Sequence, residues 1–249
     1  MPTWFITGAS RGIGLELTKQ TAANANNTVF ASCRSPSSAT ALNNIATSNK
    51  NVHVLPLDVE DEASVRSAVD SVKKLLPSGV GIDYLINNAG FAANDHLKTT
   101  EPEALEAHFK TLNPRRPPAI FKTHVSGSFR VFRAFVPLVQ ASERKVVVTV
   151  SSELGSMAHV EDHSKLGEWF PSYAIAKAAT NMLSKKIAVT YPDIISFAFA
   201  PGWIKTDLGG PTATYEAPDA VTRHIKVYEG ATKEISGKFI NQFGQEVPW

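Results

Sequence analysis

WFITGASRGIGLELTKQ, residues 4–20, runs from a short apolar segment through three glycines straight into a helical pattern. Gly8, Gly12 and Gly14 let the backbone turn tightly and come close to a ligand, while the helix start offers free N–H groups and the positive end of its dipole. A strand that turns on glycine into a helix is the opening unit of an α/β fold, and its turn suits a phosphate-bearing ligand. The spacing departs from the usual G-x-G-x-x-G dinucleotide fingerprint. By itself the turn is therefore also compatible with simple strand-to-helix packing.

The same grammar repeats along the chain. Short apolar runs recur at residues 4–7, 28–32, 52–57, 84–86, 146–150, 194–200 and 238–240, and helical patterns at 13–24, 38–47, 62–76, 125–141, 173–190 and after Pro218. Uniformly apolar strands alternating with helices predict a parallel sheet covered on both faces, a doubly wound α/β architecture of about seven strands. Nothing in the composition marks a seam, so residues 1–249 are expected to form one domain. In such sheets ligands bind beyond the carboxyl ends of the strands, so the chemistry is sought just after each one.

Composition narrows the function classes. The 249 residues are 43% hydrophobic and 19% charged, which provides ample core, and the formal charge of +2 is too small and dispersed for nucleic-acid binding. Cys33 is the lone cysteine, which rules out an internal disulfide and a cysteine-built metal site and fits a reducing, cytoplasmic compartment. Neither an export signal nor an apolar run of membrane-spanning length is found, so no membrane partner is expected.

The second strand ends in FASCRSP, without the acid that often holds ribose hydroxyls. Arg34 stands there instead, and Arg11 lies in the glycine turn. Two such cations suit a 2′-phosphate and so favour NADP(H), although both would serve equally as solvated surface residues. The third strand leads into Asp58 and Val59, and the fourth into NNAG, residues 87–90, where Asn side chains can bridge backbone segments. VVVTVSS delivers Ser151 and Ser152 to the sheet edge, and SYAIAKAATN sets Tyr173 and Lys177 one helical turn apart, on one face. A neighbouring ammonium lowers a phenol pKa from about 10 toward the working range of an acid-base catalyst.

Taken in order, TGASRGIG, NNAG, Ser152, Tyr173, Lys177 and Pro201-Gly202 resemble the short-chain dehydrogenases/reductases over essentially the whole chain. PGWIKTDLGG and the ending GKFINQFGQEVPW look most like the small carbonyl reductases that include sniffer and the C-factor proteins. The resemblance implies a Rossmann-type fold and NADP(H)-dependent reduction of a ketone or aldehyde, or oxidation of the corresponding secondary alcohol. Tyr173 would be the general acid/base, Ser152 would hold the carbonyl oxygen, and Lys177 would bind the nicotinamide ribose and lower the Tyr173 pKa. The cofactor set would be Gly8, Ser10, Arg11, Gly12, Ile13, Gly14, Arg34, Asp58, Val59, Asn87, Ala89, Gly90, Tyr173, Lys177, Pro201, Gly202, Ile204 and Thr206. Within it, Asp58 would touch the adenine, Asn87 the adenosine ribose, and Ile204 with Thr206 the nicotinamide end. Relatives often pair through the helices that begin here near Val125 and Tyr173, so a homodimer or homotetramer is open.

Two features depart from the family pattern. Ser152 and Tyr173 stand 21 positions apart, so residues 153–172 should form an extended loop in the substrate-pocket wall. Trp169 and Phe170 there suit a small to medium apolar or aromatic substrate, or form a hydrophobic plug. His159 and His163, with Glu161 and Asp162 between, lack a third ligand, and no metal is expected. The second departure is HFKTLNPRRPPAIFKTHVSGSF, residues 108–129, where Phe-Lys-Thr occurs twice around a proline-rich middle. Deleting residues 112–123 restores the family register and puts His124 where relatives have an Asn that kinks the helix and supports a proton relay; Asn113 is the alternative. Residues 112–123 thus predict an exposed irregular loop, with the helix restarting at about His124 and its imidazole titrating near neutrality. The competing functions are a catalytically impaired dinucleotide-binding regulatory protein and a redox-neutral isomerase or cyclase on the same fold.

Overall fold

A computed structural model of the chain describes residues 1–92, 95–96, 98–109, 120–161 and 169–249. Seven strands are assigned: β1 (Thr3–Thr7), β2 (Thr28–Cys33), β3 (Val52–Pro56), β4 (Tyr84–Asn87), β5 (Val146–Val150), β6 (Ile195–Ala200) and β7 (Phe239–Asn241). All pair in parallel, in the order β3-β2-β1-β4-β5-β6-β7. The helices are α1 (Gly12–Ala22), α2 (Thr40–Ser48), α3 (Glu62–Leu75), α4 (Pro102–Phe109), α5 (Ser128–Gln140), α6 (Pro171–Thr190) and α7 (Ala217–Glu229).

The sequence TWFIT shows why both faces of the sheet must be covered. Successive strand side chains point to opposite faces. Trp4 and Ile6 enter a core with Leu17 of α1, Leu42 of α2 and Val221 and Tyr228 of α7. Phe5 enters the opposite core with Val65 and Val69 of α3, Phe132 and Phe135 of α5 and Ile187 of α6. Trp4 stacks on its strand neighbour Tyr84 at 4.0 Å, and Phe5 meets Phe135 at 4.2 Å. Each such side chain taken from water contributes about 1.5–3 kcal/mol, so β1 alone anchors two layers. No helix among the described residues is long and apolar enough to cross a membrane.

The order reverses between β1 and β4, so the segments leaving these strands part to opposite sides and open a crevice between them. Gly8 and Ala89 meet at its floor: a Cβ on Gly8 would lie 2.8 Å from the Ala89 Cα.

Candidate active site

The floor of the crevice is built by backbone that side chains would obstruct. Gly8 and Gly12 have φ of +69° and +57°, in the left-handed region that glycine enters without strain. A Cβ on Gly14 would stand 2.4 Å from the Gly8 carbonyl oxygen and 2.6 Å from Asn88 Nδ2. The turn is tied to the segment after β4 by Asn88, whose Nδ2 donates to the Thr7 carbonyl at 2.9 Å and to that of Gly8 at 3.3 Å. Thr7 Oγ1 accepts from the amides of Asn88 and Ala89 at 2.9 and 3.0 Å. Ser10 and Ile13 complete the turn, both half-buried.

Asn87 is 3% exposed, yet both its side-chain amide atoms are buried with no hydrogen-bond partner among the described residues. An unpaired buried amide is costly, and its place at the end of β4 beside the glycine turn fits a polar ligand lying in the crevice. The far wall comes from the segment after β6. Thr206 brings its methyl to 3.5 Å from where a Gly12 Cβ would stand, and Ile204 is buried. His224 of α7, fully buried, places Nε2 2.9 Å from the Pro201 carbonyl, and Gln242 packs against Gly202, whose φ is +85°. Arg11 faces Asp207 at 3.6 Å with both side chains at least 70% exposed, and Arg34 is exposed at the end of β2. Asp58 Oδ1 accepts from the Glu60 amide at 2.9 Å, which caps the turn after β3; Val59 is buried beside it.

At the end of β5 the two serines part. Ser151 is 1% exposed and its Oγ donates to the Lys177 carbonyl, whereas Ser152 is half-buried, accepts from the Leu154 amide at 3.3 Å and lies near enough to the Tyr173 hydroxyl to lower its pKa. Pro171 starts α6, and the helical spacing brings Lys177 Nζ to 5.4 Å from the Tyr173 ring centroid. The same Nζ donates to the Val150 carbonyl at 2.7 Å. Burial holds Lys177 down at about 7 and pushes Tyr173 up to about 12, only partly offset by the nearby Ser152. The expected lowering of Tyr173 by Lys177 is therefore absent: desolvation acts on both groups and disfavours the charged form of each.

His124 is the third side chain of this end. It is 3% exposed, crosses the Tyr173 ring edge-on at 5.6 Å, and its Nε2 lies 2.7 Å from the Phe91 carbonyl. In the Nε2–H tautomer that contact is a donated hydrogen bond. A Cβ on Gly90 would stand 2.4 Å from the His124 ring. Burial, reinforced by the Lys177 charge, depresses its pKa well below the ordinary 6.5, so the expected titration near neutrality is corrected: the ring is neutral there.

A strand-end serine near a tyrosine, with a lysine one turn along the tyrosine's helix, stands beside a glycine turn that can take a dinucleotide. Residues 2–216 match the family model described as short chain dehydrogenase. The chain belongs to the short-chain dehydrogenase family. An oxidoreductase of Schizosaccharomyces pombe is 31% identical, covering 99% of this chain and 97% of its own. Among solved structures, the NADPH-bound carbonyl reductase from chicken fatty liver superposes with a TM-score of 0.86 at 28% identity, over 100% of this chain and 98% of that one. The carbonyl reductase Sniffer of Drosophila melanogaster has the same TM-score at 23% identity, with both chains fully covered.

This short-chain dehydrogenase departs from the sequence expectation in the 108–129 stretch. Helix is already present at residue 120 rather than from about His124, and residues 122–127 (Lys122–Gly127) form a π-helical turn that leads into α5. Ile120, expected in an exposed loop, is fully buried against Tyr173 and Ala176, and Thr123 is buried too. Burying Ile120 beside Tyr173 is worth about 1.5–3 kcal/mol, which favours ordered helix at this position over an exposed loop. Residues 112–119, with Asn113, lie outside the described residues, as does His163. Among the described residues no group of three or more His, Cys, Asp or Glu could hold a metal.

The 153–172 loop also divides its roles. Phe170, with φ of +61°, packs inward on the Tyr173 cluster with Phe91 and Leu154. Trp169 does not join it: the ring is 46% exposed and stands edge-on to His96 at 4.5 Å. Asn88 makes the backbone bridge expected of the NNAG asparagines, whereas Thr7 stood in a quoted motif with no role of its own and His224 was not among the expected residues. The signal for the first two was a hydroxyl and a second amide within the quoted motifs; His224 carries none, because its partner is a backbone carbonyl 23 residues away.

Proposed function

We propose that this short-chain dehydrogenase is an NADP(H)-dependent carbonyl reductase, acting on ketones or aldehydes of small to medium apolar or aromatic compounds. The observation that carries the reading is the Lys177 Nζ 5.4 Å from the Tyr173 ring, with Ser152 near enough to the Tyr173 hydroxyl to lower its pKa. The orphaned Asn87 amide and the glycine turn fit the dinucleotide, which when bound supplies the hydride. Asn87 takes the adenosine ribose, Asp58 the adenine, Arg11 and Arg34 the 2′-phosphate, and Ile204 and Thr206 the nicotinamide end. Arg11 is available for this because an exposed pair such as Arg11–Asp207 holds it by about 1 kcal/mol or less.

Ser152 orients the carbonyl oxygen by donating to it, and Tyr173 gives that oxygen its proton. A phenol held at about 12 is protonated throughout the neutral range, the form in which it can give a proton to the carbonyl oxygen. Lys177 holds the nicotinamide ribose and supports return of the proton to Tyr173. Phe91, Leu154, Phe170 and Ile120 around Tyr173 supply the apolar wall for the substrate.

NADPH and NADH consumption with a panel of ketones, aldehydes and quinones tests the reading, with Tyr173→Phe as control. NADPH-preferring turnover that falls about 10²–10⁴-fold in Tyr173→Phe is expected, the usual weight of a general acid. Tight NADPH binding without turnover would favour a regulatory dinucleotide-binding role. Product formation without NADPH consumption would favour an isomerase or cyclase.

A further inference from the structure

The π-helical turn at Lys122–Gly127 hangs His124 over Tyr173, and turns of this kind are rare outside functional sites because their hydrogen bonding is poorer than that of an α-helix. Something must hold it. The loop after β3 is docked against this turn and the start of α5 at three points. The Glu60 carboxylate accepts from the Thr123 hydroxyl and pairs with Lys122 Nζ at 3.5 Å, its own side chain only 16% exposed. The Val59 carbonyl accepts from Arg130 at 2.7 Å. Gly127 lies so close to Val59 that a Cβ on it would meet Val59 Cγ2 at 2.8 Å.

We propose that Glu60 is a positioning residue for His124: its hold on Thr123 and Lys122 sets the turn that places the imidazole between Phe91 and Tyr173. Asp58 and Val59 belong to the adenine end of the crevice under the function proposed above, on which the catalytic part of this inference rests. Glu60 therefore ties the adenine end to the tyrosine end through one side chain. The second Phe-Lys-Thr is the element this tie needs, since Lys122 and Thr123 are its last two residues.

Thr123→Val keeps the volume and removes the donor, and Thr123→Ser restores it. The readouts are the His124 imidazole resonances in protein carrying 15N-histidine, kcat and KM with NADPH and a reducible ketone, and Tm. Thr123→Val is expected to move the His124 resonances and to lower kcat about tenfold, the order of cost of a slightly misplaced active-site group. KM for NADPH should hold, and Thr123→Ser should recover both. Unmoved resonances in Thr123→Val, whether or not Tm falls, would overturn the inference. Should Thr123→Val fail to fold, Glu60→Ala is read in the same way. If the parent turns over no carbonyl substrate, the function proposed above fails, while the resonances still decide whether Glu60 positions His124.

Discussion

The two ends of the crevice are built by different means. At the dinucleotide end, backbone approaches backbone: Gly8 against Ala89, Gly14 against the Gly8 carbonyl, with Thr7 and Asn88 stitching the strands. At the tyrosine end, side chains from four segments converge on one ring: His124 and Ile120 before α5, Phe91 after β4, Ser152 and Leu154 after β5, and Phe170 at the start of α6. Backbone approach leaves no tolerance for an added atom. Side-chain convergence tolerates change in shape and registers it as a change in rate.

The harshest test of that contrast is Gly14→Ala. The added methyl meets the backbone carbonyl of Gly8, and beside it the Asn88 Nδ2 that ties the turn, so the turn must open or the fold must yield, at a cost of about 1–3 kcal/mol or more. A lowered Tm with loss of NADPH binding in a fluorescence titration is expected; a variant that binds as the parent does would break the comparison.

Lys177→Met sharpens it at the other end, where activity and stability should move in opposite directions. Turnover is lost with the ammonium. Between pH 7 and 10.5 the folded lysine is neutral while the unfolded one is charged, so the parent loses stability as pH falls through that window and bears the whole penalty below about 7. The Tm gain of Lys177→Met should thus be largest near pH 6–7 and shrink toward pH 10. A gain that is constant across that range would contradict a desolvated Lys177.

Smaller effects follow at the periphery of both ends. Arg34→Ala removes one exposed cation from the 2′-phosphate site, so KM for NADPH should rise about tenfold and that for NADH stay level, in keeping with a charge-assisted hydrogen bond. Equal effects on both would assign Arg34 to the surface alone. His124→Asn should change kcat by less than about tenfold and leave the pH profile from 6 to 9 in shape, because the histidine is already neutral there. A limb near pH 6.5 that disappears in His124→Asn would show that the ring does titrate in that range.

How far each end could be read in advance follows from the same contrast. The seven apolar runs lie within about one residue of the strands, because residues buried on both sheet faces write a continuous apolar signal. Ser152 was separable from Ser151 by family position, and the structure adds the physical reason: Ser151 is turned into the sheet, bonded to the Lys177 carbonyl. Asn88 stood inside a quoted motif, but only the β1–β4 crossover shows which backbone it bridges. Helix at residues 120–123 was not legible, since the prolines earlier in the stretch signal a break locally and nothing local reports that Ile120 would be buried on Tyr173.

By itself the sequence determined the parallel α/β order, the glycine turn and the one-turn spacing of Tyr173 and Lys177, all of which rest on local spacing and short-range sterics. The tertiary structure alone decided the charge states of Tyr173, Lys177 and His124 and the tie from Glu60 to Thr123. These depend on how completely distant segments exclude water from one another, and desolvation is a property of the assembled crevice rather than of any stretch of chain.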